Sequence, residues 1–157
     1  MSNTEKDKIL IHHFLPNWER YLLMSLVPIY FMLISLSQQN PATIFEGIRE
    51  IIVQPDILIT DYFVVGGVGA AFFNAGSLTI ISLALLCITK SDFDGNCIAA
   101  SCLMFGFSLF GKNLLNIWAI LMGYALYAKI HRVPFRKYLH IGLFGTTLSP
   151  IITQVLL

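Results

Sequence analysis

The sequence predicts an all-α fold, a polytopic transmembrane bundle that includes short, broken or re-entrant half-helices. Three observations predict it. The 157 residues are 56% hydrophobic and only 12% charged, about half the charged fraction of an ordinary soluble domain. The mean hydropathy is +0.73, so lipid is the expected solvent for much of the chain. Apolar stretches recur along the sequence and are interrupted by Gly, Asn and Pro. A bilayer interior offers no water to free N–H and C=O groups, so irregular backbone there must be packed in protein or line a polar cavity.

Residues 1–18 read as a polar tail and residues 19–157 as one transmembrane domain. Lys6, Lys8 and Arg20 lie in or beside that tail, ahead of the first apolar run. They resemble a signal-peptide n-region, but Ser35-Leu36-Ser37 is a poor cleavage site, which favours an uncleaved first helix. The first span falls at about 19–37, with Trp18 and Tyr21 suited to the interface and Pro28 to a kink. Asn40-Pro41 then reads as a helix start. Ile44, Phe45, Ile48, Ile51 and Ile52 recur at helical spacing between Glu46, Arg49 and Glu50, which predicts an amphipathic interfacial helix over about 42–53. Ile57-Leu58-Ile59-Thr60 is β-prone and reads as an extended lead into the next element.

Residues 62–89 form the next span. Gly66, Gly67, Gly69, Asn74 and Gly76 favour two half-helices with a break near Asn74, because each Gly costs about 1 kcal/mol of helix propensity. The same small residues also serve close helix packing. Ser91-Asp92-Phe93-Asp94-Gly95-Asn96 is a loop ending in a helix cap. It resembles the start of a calcium loop but lacks the downstream acidic ligand. Residues 97–110 and 114–128 are each short for a span, so they are either a hairpin that dips in and returns or two thin crossings. The basic loop from Lys129 to Lys137 is expected to be cytoplasmic, and the N-terminus with it. That requires an even number of crossings between them. The last span, 138–157, carries Gly142, Gly145 and Pro150 and runs into an apolar end, a pattern expected of a chain that meets a partner half or another subunit, or of a truncated frame.

Ile59-Thr60-Asp61-Tyr62-Phe63-Val64-Val65-Gly66-Gly67-Val68-Gly69-Ala70-Ala71-Phe72-Phe73-Asn74-Ala75-Gly76 is long and compositionally unusual. Together with Phe105-Gly106-Phe107, Phe110-Gly111-Lys112-Asn113 and Asn116, it resembles a domain-of-unknown-function family of bacterial multi-pass membrane proteins, best represented in Gram-positive bacteria. The resemblance covers most of residues 50–155. It implies a longer protein of two related halves, of which this chain looks like one, and it brings no activity with it.

The residues offer little for catalysis. There is no HExxH, GxSxG or P-loop, and no enzyme activity is expected. Cys87, Cys97 and Cys102 show no metal or disulfide spacing. Of His12, His13, His131 and His140, only His140 adjoins an apolar helix, so haem is not expected. No cofactor or metal is expected. The net charge of +1 gives no footprint for nucleic acid.

The candidate substrate or ion site comprises Asp61, Gly66, Gly67, Asn74, Lys112, Asn113, Asn116, Thr146 and Gln154, with Thr147 beside it. Asp61 is either a functional intramembrane carboxylate or an interfacial helix cap. Lys112 either snorkels to the surface or binds an anion. Asn74 bonds either a solute or a neighbouring helix. Two functions follow. The chain is a transporter or channel for a small solute or ion, built from broken helices, or it is a non-transporting subunit of a larger membrane complex. The expected partners are the lipid bilayer, an unknown small solute or ion, and either a second copy or a complementary membrane half.

Overall fold

A computed structural model describes residues 16–54 and 60–151. Among them the fold is all-α and no strand forms. Its frame is the pair α1 (Asn17–Gln38) and α4 (Gly67–Ile88), each of 22 residues and so about 33 Å long. Both are long and apolar enough to cross a membrane. They run antiparallel. At one end the Tyr21 hydroxyl donates to the Ser91 carbonyl at 3.1 Å. At the other, Gln39 Oε1 accepts from the Ala70 N–H at 3.0 Å and satisfies a donor in the first turn of α4. Small residues let the two backbones approach. A Cβ at Gly69 would stand 2.9 Å from the Ser35 carbonyl oxygen, and one at Gly76 would stand 3.0 Å from that of Pro28.

Helix α2 (Pro41–Val53) starts at a proline, whose missing N–H costs nothing in a first turn. Asn40 precedes it without a side-chain capping bond; its carbonyl accepts the Ile44 N–H at 2.9 Å. The buried face is Ile44, Gly47 and Ile51, and Phe45 and Val53 point outward. One turn, α3 (Tyr62–Val65), follows. Gly66 closes it, and Gly67 begins α4 with φ +82°, a left-handed conformation that glycine adopts without steric cost.

The break therefore lies at Gly66–Gly67. The sequence expectation put it near Asn74, which instead sits inside an uninterrupted α4. The reason is tertiary: the Asn74 side chain finds its partners elsewhere in the fold and leaves the helix backbone bonds intact.

After α4 the chain turns through Lys90, at φ +54°, to Asp94, which caps α5 (Gly95–Phe107) by accepting the Cys97 N–H at 2.9 Å. The turn-and-cap reading of this loop describes what is seen. A loop at 108–116 leads to α6 (Ile117–Ile130). The Ser91 hydroxyl donates to the Arg136 carbonyl at 3.5 Å, and the Tyr124 hydroxyl to that of Phe135 at 2.8 Å. The chain thus returns to the end from which it left. Helices α5 and α6, of 13 and 14 residues, each reach only about 20 Å. Their tip meets Asn74, about 10 Å inside α4, and also Thr60 and Tyr62 ahead of it. Both arrangements left open, a hairpin that dips in and two thin crossings, return the chain to the same end in this way.

A 3-10 turn, Phe135–Tyr138, leads into α7 (Leu139–Gly145) and a second 3-10 turn, Thr146–Leu148. The last expected span is thus interrupted at Thr146, and its residues 152–157 lie outside the described residues. The main core joins Tyr21, Leu78, Leu86, Met104, Leu121 and Leu143; a smaller one joins Ile51, Tyr62, Ala70 and Ala71.

Candidate functional site

The hairpin tip gathers several of the buried polar side chains. Asn74, Lys112 and Asn113 are almost fully buried there, with 0%, 0% and 2% of their surfaces exposed. Asn74 Nδ2 donates to the Ser108 carbonyl at 2.7 Å and to the Lys112 carbonyl at 2.8 Å. Those carbonyls follow the end of α5 and have no helical donor, so the amide supplies what the broken backbone lacks. Asn74 Oδ1 is buried with no hydrogen-bond partner.

Asn113 and Asn116 hold the tip in shape. Asn113 Oδ1 accepts the N–H groups of Leu115 and Asn116, both at 2.9 Å. Asn116 Oδ1 accepts the Asn113 N–H at 3.0 Å, and its Nδ2 donates to the Gly111 carbonyl at 2.7 Å. This is the Asx chemistry that lets asparagine stand in for backbone in turns. The Ser149 hydroxyl also donates to Asn116 Oδ1, at 3.0 Å, which brings the segment after α7 to the tip. From the other side, the Thr60 N–H donates to the Phe110 carbonyl at 2.7 Å and the Tyr62 N–H to the Leu109 carbonyl at 3.3 Å.

The Lys112 ammonium is enclosed rather than snorkelling, because the tip turns inward and covers it. Its close neighbours are soft: Met104 Sδ at 3.9 Å and the Phe107 ring, 5.4 Å to the centroid. A cation over an aromatic face is attracted by the ring quadrupole, but that is weaker than a counter-charge. The site therefore offers one enclosed cation with three donors and one free acceptor oxygen.

Other expected site residues fall elsewhere. Asp61 is exposed and caps α3, its Oδ1 accepting the Phe63 N–H at 2.9 Å. It does not join the tip. Gly66 and Gly67 form the α3–α4 hinge, against Gly47 and Gln39. Thr146 is buried and donates to the Leu143 carbonyl at 2.6 Å; Thr147 donates to that of Phe144 at 2.8 Å. Both bonds are local to their own turn. Gln154 lies outside the described residues. Ser108, Ser149 and Gln39 were missed. Ser149 directly precedes Pro150, a pattern that favours a turn; Ser108 and Gln39 carry no comparable local signal. No group of three or more His, Cys, Asp or Glu that could hold a metal occurs among the described residues.

The family model described as protein of unknown function (DUF1576) matches residues 40–157. The chain belongs to the DUF1576 family. The DUF1576 match takes in α2 through α7 and the whole hairpin tip, and leaves α1 outside. No curated protein and no solved structure matches the chain.

Proposed function

We propose that this DUF1576 chain is a multi-pass protein of the cell membrane that helps move a small anionic or polar solute, with its site at the hairpin tip. The observation that carries this reading is the pair of buried groups at the tip, the Lys112 ammonium and the free Asn74 Oδ1, on residues joined by the Asn74 Nδ2 bond to the Lys112 carbonyl. Ionisable groups at membrane depth are costly and are functional by default. Helices that stop short and return are tolerated in lipid only where their tips are packed or face a polar pathway.

Two further features support the membrane setting. Leu22, Leu26, Tyr30 and Leu33 on α1, and Met122, Leu126 and Ile130 on α6, are each more than half exposed. Such a surface exceeds the scattered apolar exposure of a soluble monomer. Charge is also polarised. Arg20, Lys90, Lys129, Arg132, Arg136 and Lys137 share the end that carries Tyr21 and Ser91, whereas the other end carries Glu46, Arg49, Glu50 and Asp61. The positive-inside rule makes the first end, and the N-terminus with it, cytoplasmic. A second copy, or a complementary half, completes the bundle against the bare faces of α1 and α6.

One observation favours the alternative, a non-transporting subunit. The segment from Gly67 to Asn74 is unbroken helix packed on α1, and Asn74, Lys112 and Asn113 at the tip are buried. Crosslinking in native membranes, followed by solute flux in proteoliposomes, separates the two. Flux that is lost in Lys112→Met and in Asn74→Ala, with the oligomer intact, supports transport. An intact oligomer that moves none of a panel of small anions and polar solutes supports the subunit.

A further inference from the structure

We propose that the basic end of the bundle holds a phosphate-binding site, separate from the hairpin tip and independent of whether the chain moves a solute. A cavity of about 430 Å³ opens there between the α4–α5 loop and the segment leading into α7. Lys90, Arg136, Lys137 and His140 line it, together with Asp92 and Asp94. The cations come from two stretches more than forty residues apart in sequence, so the fold, not a charge run, assembles them.

The walls are held in place. The Tyr21 hydroxyl fixes the Ser91 carbonyl at 3.1 Å, and Cys97 Sγ donates to the Asp92 carbonyl at 3.1 Å. The Tyr124 hydroxyl bridges the opposite wall, donating to the Phe135 carbonyl at 2.8 Å and accepting the Tyr138 N–H at 3.2 Å. Lys90 is presented from a left-handed turn at φ +54°.

The carboxylates only partly offset the cations. Asp94 is engaged by the Cys97 N–H and by Asn96 Nδ2, at 2.9 and 3.1 Å. No ion pair within 4.0 Å joins either aspartate to a basic side chain among the described residues. Lys137 lies over the Tyr138 ring, 4.9 Å to the centroid. A cleft in which two lysines and an arginine make no ion pair with a carboxylate, and in which His140 lies near Asp94, suits an anion with several oxygens. Arginine in particular matches phosphate through its planar fork. The cavity sits at the end of α4, and Ile88 and Ile141, near its lining residues Lys90 and His140 in sequence, are apolar and exposed. Basic pockets at that level of a membrane protein meet lipid headgroups. The shared chemistry is a phosphate group, from an anionic lipid or free in solution.

The test uses the full chain in detergent and in nanodiscs. Thermal stability is titrated with phosphatidylglycerol, phosphatidylcholine and inorganic phosphate, each against the Arg136→Gln/Lys137→Gln double variant. Neither residue is buried, so the variant is expected to fold, and its unliganded melting point checks that. Selective stabilisation of the wild type by phosphatidylglycerol, weakened roughly tenfold or more in apparent affinity in the variant, supports the site with a lipid source. Stabilisation by inorganic phosphate without lipid preference, lost in the variant, supports it with a soluble source. Wild-type protein that responds to neither ligand, or a response the double variant retains in full, overturns the proposal.

Discussion

The Asn74 side-chain amide donates to the Lys112 carbonyl across 38 residues of sequence, at 2.8 Å, and ties the middle of α4 to the hairpin tip. The same nitrogen serves Ser108. Asn74→Ala removes both bonds and leaves two buried carbonyls without donors. Each orphaned group costs about 1–3 kcal/mol, so the variant is expected to lose roughly 2–4 kcal/mol of stability. Unfolding in mixed micelles measures this. A loss below about 0.5 kcal/mol, within the scatter of surface substitutions, would mean the tip does not depend on that clasp.

Lys112 is expected to behave in the opposite way. Its ammonium is enclosed by Met104 and Phe107 rather than by a counter-charge. Lys112→Met fills the same space with an apolar side chain and removes the desolvation penalty. Stability is expected to hold or to rise by on the order of 1 kcal/mol, while solute flux falls to background. A variant that is stable and fully active would remove Lys112 from the site. One that is inactive because it unfolds would make the lysine structural.

These two residues also mark what the sequence can and cannot disclose. The all-α class was legible because the apolar runs are long and charge is sparse. The start of α2 was legible because Pro41 acts locally, and so was the Asp94 cap. Gly67 was visible as one glycine among several; only its left-handed φ distinguishes it, and composition does not encode that. Asn74 looked like a helix breaker because its partners lie 34 and 38 residues away. Lys112 looked like a snorkelling surface lysine because nothing local says that the tip turns inward. The site expectation brought Asn74, Lys112, Asn113 and Asn116 together but added Asp61, whose capping role is a local fact of a neighbouring turn.

The contact between α2 and the α3–α4 hinge is backbone on backbone. A Cβ at Gly47 would collide with the Gly66 carbonyl oxygen and stand 2.7 Å from the Ala70 Cβ. Neither neighbour can swing away, so Gly47→Ala is expected to cost about 1–3 kcal/mol by forcing the helices apart. Gly123, on α6, has nothing within 4 Å of its added Cβ. Gly123→Ala is expected to gain about 0.5–1 kcal/mol from helix propensity. Paired melting curves check the contrast; equal effects would contradict the packing.

Asp94 gives the fold an acid limit. Partial burial opposes its ionisation, but hydrogen bonds from the Cys97 N–H and Asn96, with His140 nearby, outweigh that and lower its pKa from the ordinary 3.8. A lowered folded-state pKa means that the folded protein holds fewer protons than the unfolded chain. The contribution is therefore complete above the ordinary carboxylate value and disappears as pH falls through the lowered one. Asp94→Asn keeps a capping oxygen and is expected to flatten this part of the pH profile. Asp94→Ala is expected to lose about 1 kcal/mol even at neutral pH. A profile unchanged by Asp94→Asn would assign the acid limit to other carboxylates.

Depth within the bundle separates a dipping hairpin from two full crossings, because both return the chain to the same face. Asn74, which the tip meets, lies about 10 Å inside α4; the tip also bonds Thr60 and Tyr62 ahead of α3 and α4, and Leu115 on it is 64% exposed. In right-side-out and inverted vesicles, an impermeant maleimide is expected to reach Asp92→Cys and Arg132→Cys from the cytoplasmic face. It should reach Glu50→Cys from the opposite face, and Leu115→Cys from neither. A permeant maleimide should modify all four. If Leu115→Cys reacts as readily as Glu50→Cys from the outer face, α5 and α6 cross the membrane completely and the enclosed tip is an outer loop. If Asp92→Cys and Arg132→Cys label from opposite faces, the Ser91–Arg136 contact cannot exist, and the shared basic end falls with it.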